Sequence, residues 1–291
     1  MFTAEETASC RRLVELALAE DLGAAGDLTS QAVIPESLQG TAVFVARASG
    51  VLAGLPIVAI VASKVAVHLE VVLLKKDGDS LTMGDKIAEI RGPMRGILAV
   101  ERTALNFLQH LSGIATLTRR FVEAVAGLHC KILDTRKTTP GWRLLEKYAV
   151  RQGGGHNHRI GLYDGILIKD NHLAVLKEET SSIRSAVEAA RRHSPSIPIE
   201  IEVECFDQFD EALALTPDII LLDNMTPGEL TGAVARRDAQ CDENNWVFLE
   251  ASGGITLANV RAVAETGVDR ISIGALTHSA PALDIALDYV D

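Results

Sequence analysis

Leu133-Asp134-Thr135-Arg136-Lys137-Thr138-Thr139-Pro140-Gly141 places an acid, hydroxyls and two adjacent cations between an apolar run and a Pro-Gly turn. The run at residues 131–133 predicts a short buried strand that delivers these charges to a loop. Neighbouring side chains on a strand point to opposite faces, so both cations can serve one site only where the backbone turns, as Pro140-Gly141 allows. A guanidinium beside an ammonium suits a ligand with more than one anionic group. A solvated basic loop is the alternative interpretation.

The same pattern recurs through the rest of the chain. Five later apolar runs end in charged or small polar residues and precede helical sequence, at residues 165–168, 197–203, 218–222, 247–249 and 271–273. Their ends are spaced by about 20 to 35 residues, which is typical of βα units in a parallel sheet, most simply a barrel. With about six strands visible, either the barrel is incomplete or one or two of its strands are too short to recognise in the sequence. The carboxyl ends of barrel strands converge on the catalytic face, which here would collect Arg136, Lys137, Lys169, Glu202, Asp223 and Ser252.

The first hundred residues have a different pattern, which predicts a mixed α+β sandwich. We expect a helix at residues 10–20 that closes at Gly23, strands at 39–48 and 68–75, and a buried helix at 51–67. A long helix at residues 96–126 should follow, interrupted near Ser112-Gly113. It carries Arg102 among apolar neighbours, either with its head in water or projecting into a site at a domain or subunit boundary.

Composition limits the class of partner. The chain of 291 residues is 47% hydrophobic and 4% aromatic with a formal net charge of −11, which disfavours nucleic acid and anionic membranes. Residues 131–172 nevertheless carry eight Lys/Arg against four Asp/Glu, a local balance of 8 − 4 = +4. A cationic segment in an acidic protein predicts a site for a small polyanion.

Cysteine usage and the amino terminus indicate a cytoplasmic protein. Cys10, Cys130, Cys205 and Cys241 are scattered and form no C-x-x-C pair, so neither a disulfide framework nor a zinc site is expected. Glu5 and Glu6 precede any apolar run, which is wrong for a signal peptide. The most apolar stretch, residues 51–62, is too short to span a bilayer, so we expect no membrane segment.

Glycine-rich loops and paired acids complete the candidate site. Gly153-Gly154-Gly155-His156-Asn157-His158-Arg159 lets the backbone approach a ligand while it presents imidazoles and a guanidinium. Ser252-Gly253-Gly254, before a predicted helix at 256–265, and Gly274-Ala275 suit a phosphate. Glu202 and Asp223 would repel a polyphosphate unless Mg²⁺ lay between them, or else they pair with Lys137 and Lys169 as structural ion pairs.

Taken together, these motifs resemble the quinolinate phosphoribosyltransferase family along nearly the whole chain. The segments that carry the resemblance are Ala19-Glu20-Asp21-Leu22-Gly23, Glu101-Arg102-Thr103-Ala104-Leu105-Asn106, residues 134–141, Asn157-His158-Arg159, Leu167-Ile168-Lys169-Asp170-Asn171-His172, Leu222-Asp223-Asn224-Met225, residues 250–255 and Gly274-Ala275-Leu276-Thr277-His278. The resemblance implies transfer of phosphoribosyl from phosphoribosyl pyrophosphate (PRPP) to quinolinate with decarboxylation, giving nicotinate mononucleotide for NAD synthesis.

The same resemblance implies an architecture and a set of roles. The architecture is an amino-terminal α/β sandwich at residues 1–112, joined by residues 276–291, and an incomplete α/β (TIM-like) barrel at residues 113–275. A homodimer would place Arg102 of one subunit in the barrel mouth of the other, with a hexamer of dimers left open. Quinolinate would be gripped by Arg102, Arg136, His158, Arg159 and Lys169, with Lys137 near both substrates. Glu202 and Asp223 would hold the ribose hydroxyls and Mg²⁺-pyrophosphate. The 5′-phosphate would be bound by Ser252, Gly253 and Gly274, and further substrate contacts would come from Thr135 and His278.

Two other functions remain open from the residues alone. Lys169 at a barrel strand end is also where a Schiff-base aldolase or lyase places its amine. The third hypothesis is a phosphosugar sensor that binds its ligand without turnover. The many acids and bases at the mouth of the predicted barrel favour an enzyme instead.

Overall fold

The computed structural model describes residues 2–66, 68–176 and 183–290. In chain order its helices and strands are α1 (Ala4–Leu22), α2 (Leu28–Val33), β1 (Gln39–Ala46), β2 (Gly50–Val51), α3 (Pro56–Val65), β3 (Glu70–Leu73), β4 (Ser80–Leu81), β5 (Lys86–Pro93), α4 (Met94–Ala124), β6 (Lys131–Leu133), α5 (Arg143–Gln152), β7 (Ile166–Ile168), α6 (Asp170–Leu176), α7 (Ile183–His193), β8 (Ile199–Val203), α8 (Phe206–Leu213), β9 (Ile219–Asp223), α9 (Pro227–Gln240), β10 (Phe248–Ser252), α10 (Val260–Ala264), β11 (Arg270–Ser272), α11 (Ala275–His278) and β12 (Ile285–Val290). None of the helices described is both long and apolar enough to cross a bilayer.

The chain forms two compact units. Unit 1 comprises Met1–Arg119, Lys137–Gly155 and Ala275–Asp291, and unit 2 comprises Arg120–Arg136 and His156–Gly274. The domain boundaries expected from the sequence, residues 1–112 with 276–291 and residues 113–275, stay a prediction.

Unit 1 is an α/β sandwich around an antiparallel sheet in the order β12-β1-β5-β3. Residues 42–46 of β1 are all buried, and β5 buries Ile87 and Ile90; no solvent reaches Phe44, Ile87 or Ile90. The carboxyl-terminal strand β12 pairs with β1 along its whole length, so the end of the chain completes the sheet that the beginning starts.

Unit 2 is an incomplete α/β barrel whose six strands are all parallel, in the order β6-β11-β10-β9-β8-β7. The six apolar runs expected from the sequence are these six strands. Between the edge strands β6 and β7, His156 makes an isolated parallel bridge to Leu133. Its N–H donates to Ile132 O at 2.8 Å, and the Asp134 N–H donates to His156 O at 3.1 Å. The segment that follows α5 is therefore anchored to the end of β6.

Two predicted helices differ from those observed. The buried helix expected at residues 51–67 is shorter, α3, because Gly50–Val51 pairs with β4 as a strand. The helix expected at 256–265 is the short α10, which begins only at Val260 because Asn259 Oδ1 accepts the Thr256 N–H at 2.7 Å in a preceding turn. No helix therefore begins next to Gly253 and Gly254, and a phosphate site there would rest on the turn alone.

The interruption expected near Ser112-Gly113 is wrong, because α4 runs unbroken from Met94 to Ala124. Both residues serve packing inside unit 1. Ser112 Oγ accepts the Ala53 N–H at 3.0 Å, and a Cβ on Gly113 would lie 2.2 Å from Pro281 O. The backbone at residues 281–283 crosses the helix here, and the Leu283 N–H donates to Gln109 O at 2.9 Å. Close approach of two backbones, rather than a break, explains the small residues.

Gly113→Ala should destabilise unit 1 although alanine favours helix. The added methyl group has to displace backbone rather than a flexible side chain, which costs about 1 to 3 kcal/mol. A lower midpoint of thermal unfolding would show the loss. Gly228→Ala in α9 is the matched control, because nothing lies within 4 Å of the Cβ it adds. Its midpoint should stay level or rise, and an equal fall in both variants would contradict this explanation.

Candidate active site

Strand register brings the predicted acids of the barrel onto one face. Residues paired across parallel strands project to the same side, as do residues two apart on one strand. Glu202 pairs with Leu221, and Asp223, two residues further on, pairs with Ser252. Glu202, Asp223 and Ser252 therefore share a face at the carboxyl edge of the sheet, as the sequence predicted.

Lys169 joins this face through an ion pair with Glu202. The Glu202 side chain is 9% exposed and that of Lys169 is 41% exposed, so the carboxylate is buried and the ammonium is half in solvent. The structural ion pair weighed for Glu202 is thus present with Lys169. The Lys169 N–H also donates to Nδ1 of His172 at 2.9 Å, which fixes the backbone at the strand end.

Gly253 turns the chain directly beside Asp223. The Asn224 N–H donates to Ser252 O at 2.8 Å, and Asn224 Nδ2 donates to Asp223 Oδ2 at 2.7 Å. Gly253 has φ +95°, and a Cβ there would lie 2.2 Å from Asn224 Oδ1. Glycine is required for both reasons. The predicted phosphate turn and the predicted metal ligand Asp223 therefore form one packed corner.

A buried carboxylate fixes the loop that follows His156. Asp134 is fully buried, and its two oxygens accept from Asn157 Nδ2 at 2.5 Å and from the His158 N–H at 2.9 Å. Asp134 stands in the motif Asp134-Thr135-Arg136, where Thr135 and Arg136 are half-buried. One acid thus holds both the end of β6 and the Asn157-His158-Arg159 segment.

Beneath the mouth lies a buried cluster that sequence reasoning did not identify. His158 Nε2 lies 3.0 Å from Glu200 Oε2 and 3.4 Å from Glu250 Oε1, and Arg270 Nε lies 3.1 Å from Glu250 Oε2. Burial alone lowers the pKa of His158, but the hydrogen bonds to Glu200 and Glu250 outweigh it and raise that pKa. Burial and the nearby Glu250 carboxylate raise the pKa of Glu200. The cluster as a whole therefore retains a proton.

The signal for this cluster was present in the alternation of β8. Ile199-Glu200-Ile201-Glu202-Val203 places Glu200 on the same face as Glu202, about 7 Å nearer the start of the strand. Glu250 stands two residues before Ser252 in the same relation. Sequence reasoning considered the acids at the strand ends, and it did not consider Glu200 and Glu250, which lie one layer deeper in the barrel.

Arg159 is not brought to the edge that carries Lys169. Its Nη1 donates to Gly165 O at 3.0 Å, immediately before β7, whereas Lys169 follows β7. The guanidinium lines a cavity of about 120 Å³ with Asp164, Pro198 and Arg270, all at the amino-terminal side of the strands. The predicted role of Arg159 in gripping quinolinate stays a prediction.

Arg102, Lys137 and His278 belong to unit 1. Arg102 is exposed on α4, and His278 Nδ1 lies 2.6 Å from Ser279 Oγ. The loop of Lys137 is held closely: Thr277 Oγ1 donates to Lys137 O at 2.8 Å, and Glu146 Oε2 accepts the Thr139 N–H at 3.1 Å. Gly274 is half-buried in unit 2, directly after Ile273, whose N–H donates to Leu133 O at 2.9 Å.

Comparison with known proteins gives a consistent match over both parts of the chain. Residues 27–112 match the model of the quinolinate phosphoribosyl transferase N-terminal domain, and residues 114–288 match that of its C-terminal domain. The carboxylating nicotinate-nucleotide pyrophosphorylase of Mycobacterium leprae is 44% identical over 282 residues, covering 96% of this chain and 97% of that protein. A probable enzyme of the same name from Bacillus subtilis is 45% identical over 278 residues, covering 96% and 92%.

Solved structures agree with the sequence matches. The nicotinate-nucleotide pyrophosphorylase of Francisella tularensis superposes with a TM-score of 0.90 at 38% identity, covering 97% of this chain and 96% of that one. The fold and the sequence therefore point to the same relatives.

Asp134→Asn should loosen the Asn157–His158 segment. One carboxylate oxygen becomes an NH₂ group that faces an N–H donor, which costs about 1 to 3 kcal/mol in a buried site. We expect a lower midpoint of thermal unfolding together with a higher KM for quinolinate, the ligand that the resemblance assigns to this segment. Asp207→Asn, which changes an exposed acid of the same unit, should alter neither. Parent-like stability and KM in Asp134→Asn would contradict the clamp.

Proposed function

This chain belongs to the quinolinate phosphoribosyltransferase family, and from that premise we propose how its own residues divide the work. The reaction is that of the family: phosphoribosyl passes from PRPP to quinolinate, which loses CO₂ and becomes nicotinate mononucleotide, a precursor of NAD. The observation that supports the residue assignment is the shared face of Glu202, Asp223 and Ser252 at the carboxyl edge of the barrel, with Lys169 paired to Glu202.

Two substrates with several negative charges need cations to hold them. Arg136 and Lys169 stand at the ends of β6 and β7, and Lys137 follows Arg136 directly. We assign Arg136 to the quinolinate carboxylates, with Lys137 and Lys169 stabilising charge that develops on both substrates. An ammonium paired with a carboxylate is a poor nucleophile, so the pairing of Lys169 disfavours the Schiff-base alternative.

Chemistry at the ribose needs little acid or base. The ring nitrogen of quinolinate is already a nucleophile: it forms the bond to C1′ as the C1′–O bond to pyrophosphate breaks. The C–C bond to the carboxylate next to the ring nitrogen then breaks, the positive charge of the pyridinium stabilises the electron pair that CO₂ leaves on the ring carbon, and that carbon takes up a proton. The protein contributes alignment, exclusion of water and charge stabilisation. For alignment, Glu202 and Asp223 would hold the ribose hydroxyls. The 5′-phosphate would be bound by Ser252, Gly253 and Gly274.

Magnesium fits the acids at this edge. Mg²⁺ is usually bound by one or two carboxylates together with substrate phosphate oxygens. Asp223 is half-buried at the carboxyl end of β9, the Glu202 side chain is 9% exposed near the carboxyl end of β8, and both project from one face. When bound, Mg²⁺ would neutralise charge on the departing pyrophosphate. Glu202 and Asp223 are its proposed protein ligands, with the pyrophosphate completing the set.

A homodimer in the cytoplasm is part of the same proposal. Arg102 is exposed on α4, where a partner subunit can reach it. The family resemblance places it in the partner's barrel. All four cysteines are free thiols, which suits a reducing compartment.

The first test mixes the purified protein with PRPP, Mg²⁺ and quinolinate labelled in the 2-carboxyl group. We expect nicotinate mononucleotide and labelled CO₂ in equal amounts, with loss of both when EDTA removes the metal. Nicotinate in place of quinolinate serves as the control and should give no product. Product from nicotinate, or turnover that survives EDTA, would contradict the proposal.

Subunit mixing tests the shared site. Arg102→Ala and Lys169→Ala should each lose most activity, because each removes a cation from every site. After the two variants exchange subunits, half of the dimers are mixed and each has one intact site, so activity should return to about a quarter of the parent value. Each variant exchanged with itself is the control. Mixed dimers that are seen by native mass spectrometry yet stay inactive would refute a shared site.

A further inference from the structure

Hydrogen bonds from outside the loop hold the backbone around Lys137. Residues 137–142, which lead into α5, form neither a helix nor a strand, so contacts with other elements determine where their backbone lies. Thr277 Oγ1 donates to Lys137 O at 2.8 Å. The Thr139 N–H donates to Glu146 Oε2 at 3.1 Å. Two residues span about 7 Å at most, so a shift at Thr139 also moves the start of the Lys137 side chain.

Glu146 connects this loop to α4. Its side chain, in the first turn of α5, is fully buried. One carboxylate oxygen accepts the Thr139 N–H, and the other lies 2.9 Å from Nε2 of His110, which stands on α4. An ionised carboxylate can only accept, so Nε2 of His110 carries the hydrogen of this contact. A single buried acid therefore joins α4 to the backbone two residues after Lys137.

Two aromatic contacts hold the His110 ring in the orientation that this hydrogen bond needs. The ring lies edge-on to Trp142, with 5.2 Å between the centroids and an angle of 85° between the planes. Trp142 in turn stacks on Phe107 of α4, with centroids 4.6 Å apart and planes at 21°. Both geometries are favourable for aromatic pairs. Trp142 directly follows the Pro140-Gly141 turn, so the same contacts fix the far end of the loop.

Burial separates this arrangement from an ordinary stabilising ion pair. The His110 side chain is 32% exposed, whereas that of Glu146 is fully buried. A pair with a buried acid adds little net stability, because the attraction mainly offsets the cost of removing the acid from water. What it supplies is a fixed acceptor for one backbone N–H, and that N–H belongs to the loop that carries Lys137.

We propose that His110 and Glu146 are positioning residues, which fix the Thr139 backbone and thereby hold Lys137 where its role in the reaction requires it. They act through Lys137 rather than on the substrates themselves. The inference rests on the proposed function for that role, which is to stabilise charge that develops during the transfer. A cation that acts on developing charge affects kcat more than KM, and a displacement of about 1 Å can cost about 100-fold in rate.

Hydrogen exchange of the full-length protein tests the contact itself. His110→Leu removes the donor to Glu146, whereas His110→Gln places an amide N–H close to the former position of Nε2. A carboxylate that has lost one donor turns towards water and releases the Thr139 N–H more often. We therefore expect a peptide that contains Thr139 to exchange about tenfold faster in His110→Leu than in the parent, and at the parent rate in His110→Gln. Parent-like exchange in His110→Leu would overturn the proposal.

Steady-state kinetics test the consequence for the reaction. We expect His110→Leu to lower kcat about tenfold while the KM for quinolinate and the KM for PRPP stay within about twofold of the parent. His110→Gln should recover kcat to within about threefold. A second variant, His110→Ala, adds no bulk against Trp142 and should show the same fall in kcat as His110→Leu. His193→Leu, at an exposed position at the end of α7, is the matched control and should behave as the parent.

A purely structural role predicts a different result. His110→Leu would then lower the midpoint of thermal unfolding but keep the parent kcat at a temperature where both proteins are fully folded, and that result would refute positioning. A rise in either KM with unchanged kcat would also refute it, because the pair would then serve binding rather than the position of Lys137. If the parent forms no nicotinate mononucleotide, the proposed function fails, whereas the exchange rates still decide whether the pair fixes the loop.

Discussion

The buried carboxylate of Asp134 is the contact on which the barrel site depends. A charged oxygen removed from water must recover its hydration through strong donors, and Asp134 finds them in the side chain of Asn157 and the backbone of His158. These donors lie on the far side of the glycine-rich stretch at 153–155. The need to satisfy one acid therefore fixes this segment beside β6, an edge strand of the six-stranded sheet. The Asn157-His158 segment is thereby held in one position against the end of β6.

Much of this arrangement could be predicted from the sequence, because it follows from the spacing of the apolar runs and from which residues stand at their ends. Short apolar runs ending in charge gave the six parallel strands, and strand ends gave Lys169, Glu202, Asp223 and Ser252 as neighbours. The register confirms the shared face of the last three. Alternation within β8 also contained Glu200, but an acid in mid-strand looks like an error of assignment until its partner His158 is known. That partner comes from a loop 42 residues earlier, since 200 − 158 = 42.

What sequence could not give came from contacts between distant segments. Ser112-Gly113 has the composition of a helix break, yet α4 continues because residues 281–283 need room to cross it. The turn at Asn259 delays α10 because a side-chain oxygen competes with the helix for a backbone N–H. The contact of Arg159 with Gly165 is a further case, since no local pattern says at which end of β7 a long side chain will lie. In each, tertiary contact outweighs local propensity.

Acids within a pocket for polyanions look counterproductive until ground state and transition state are compared. A bare cluster of cations would bind quinolinate and PRPP tightly before any reaction, and uniform binding of this kind does not raise kcat. Lys169 already paired with Glu202 gains less from an incoming carboxylate, because binding exchanges one ion pair for another. In the proposed site, the charge on pyrophosphate would grow as it departs, and the same ammonium would then have more to gain from the leaving group than from Glu202. On that assignment, pairing Lys169 with an acid would favour the step in which charge develops over tight binding of the substrates before it.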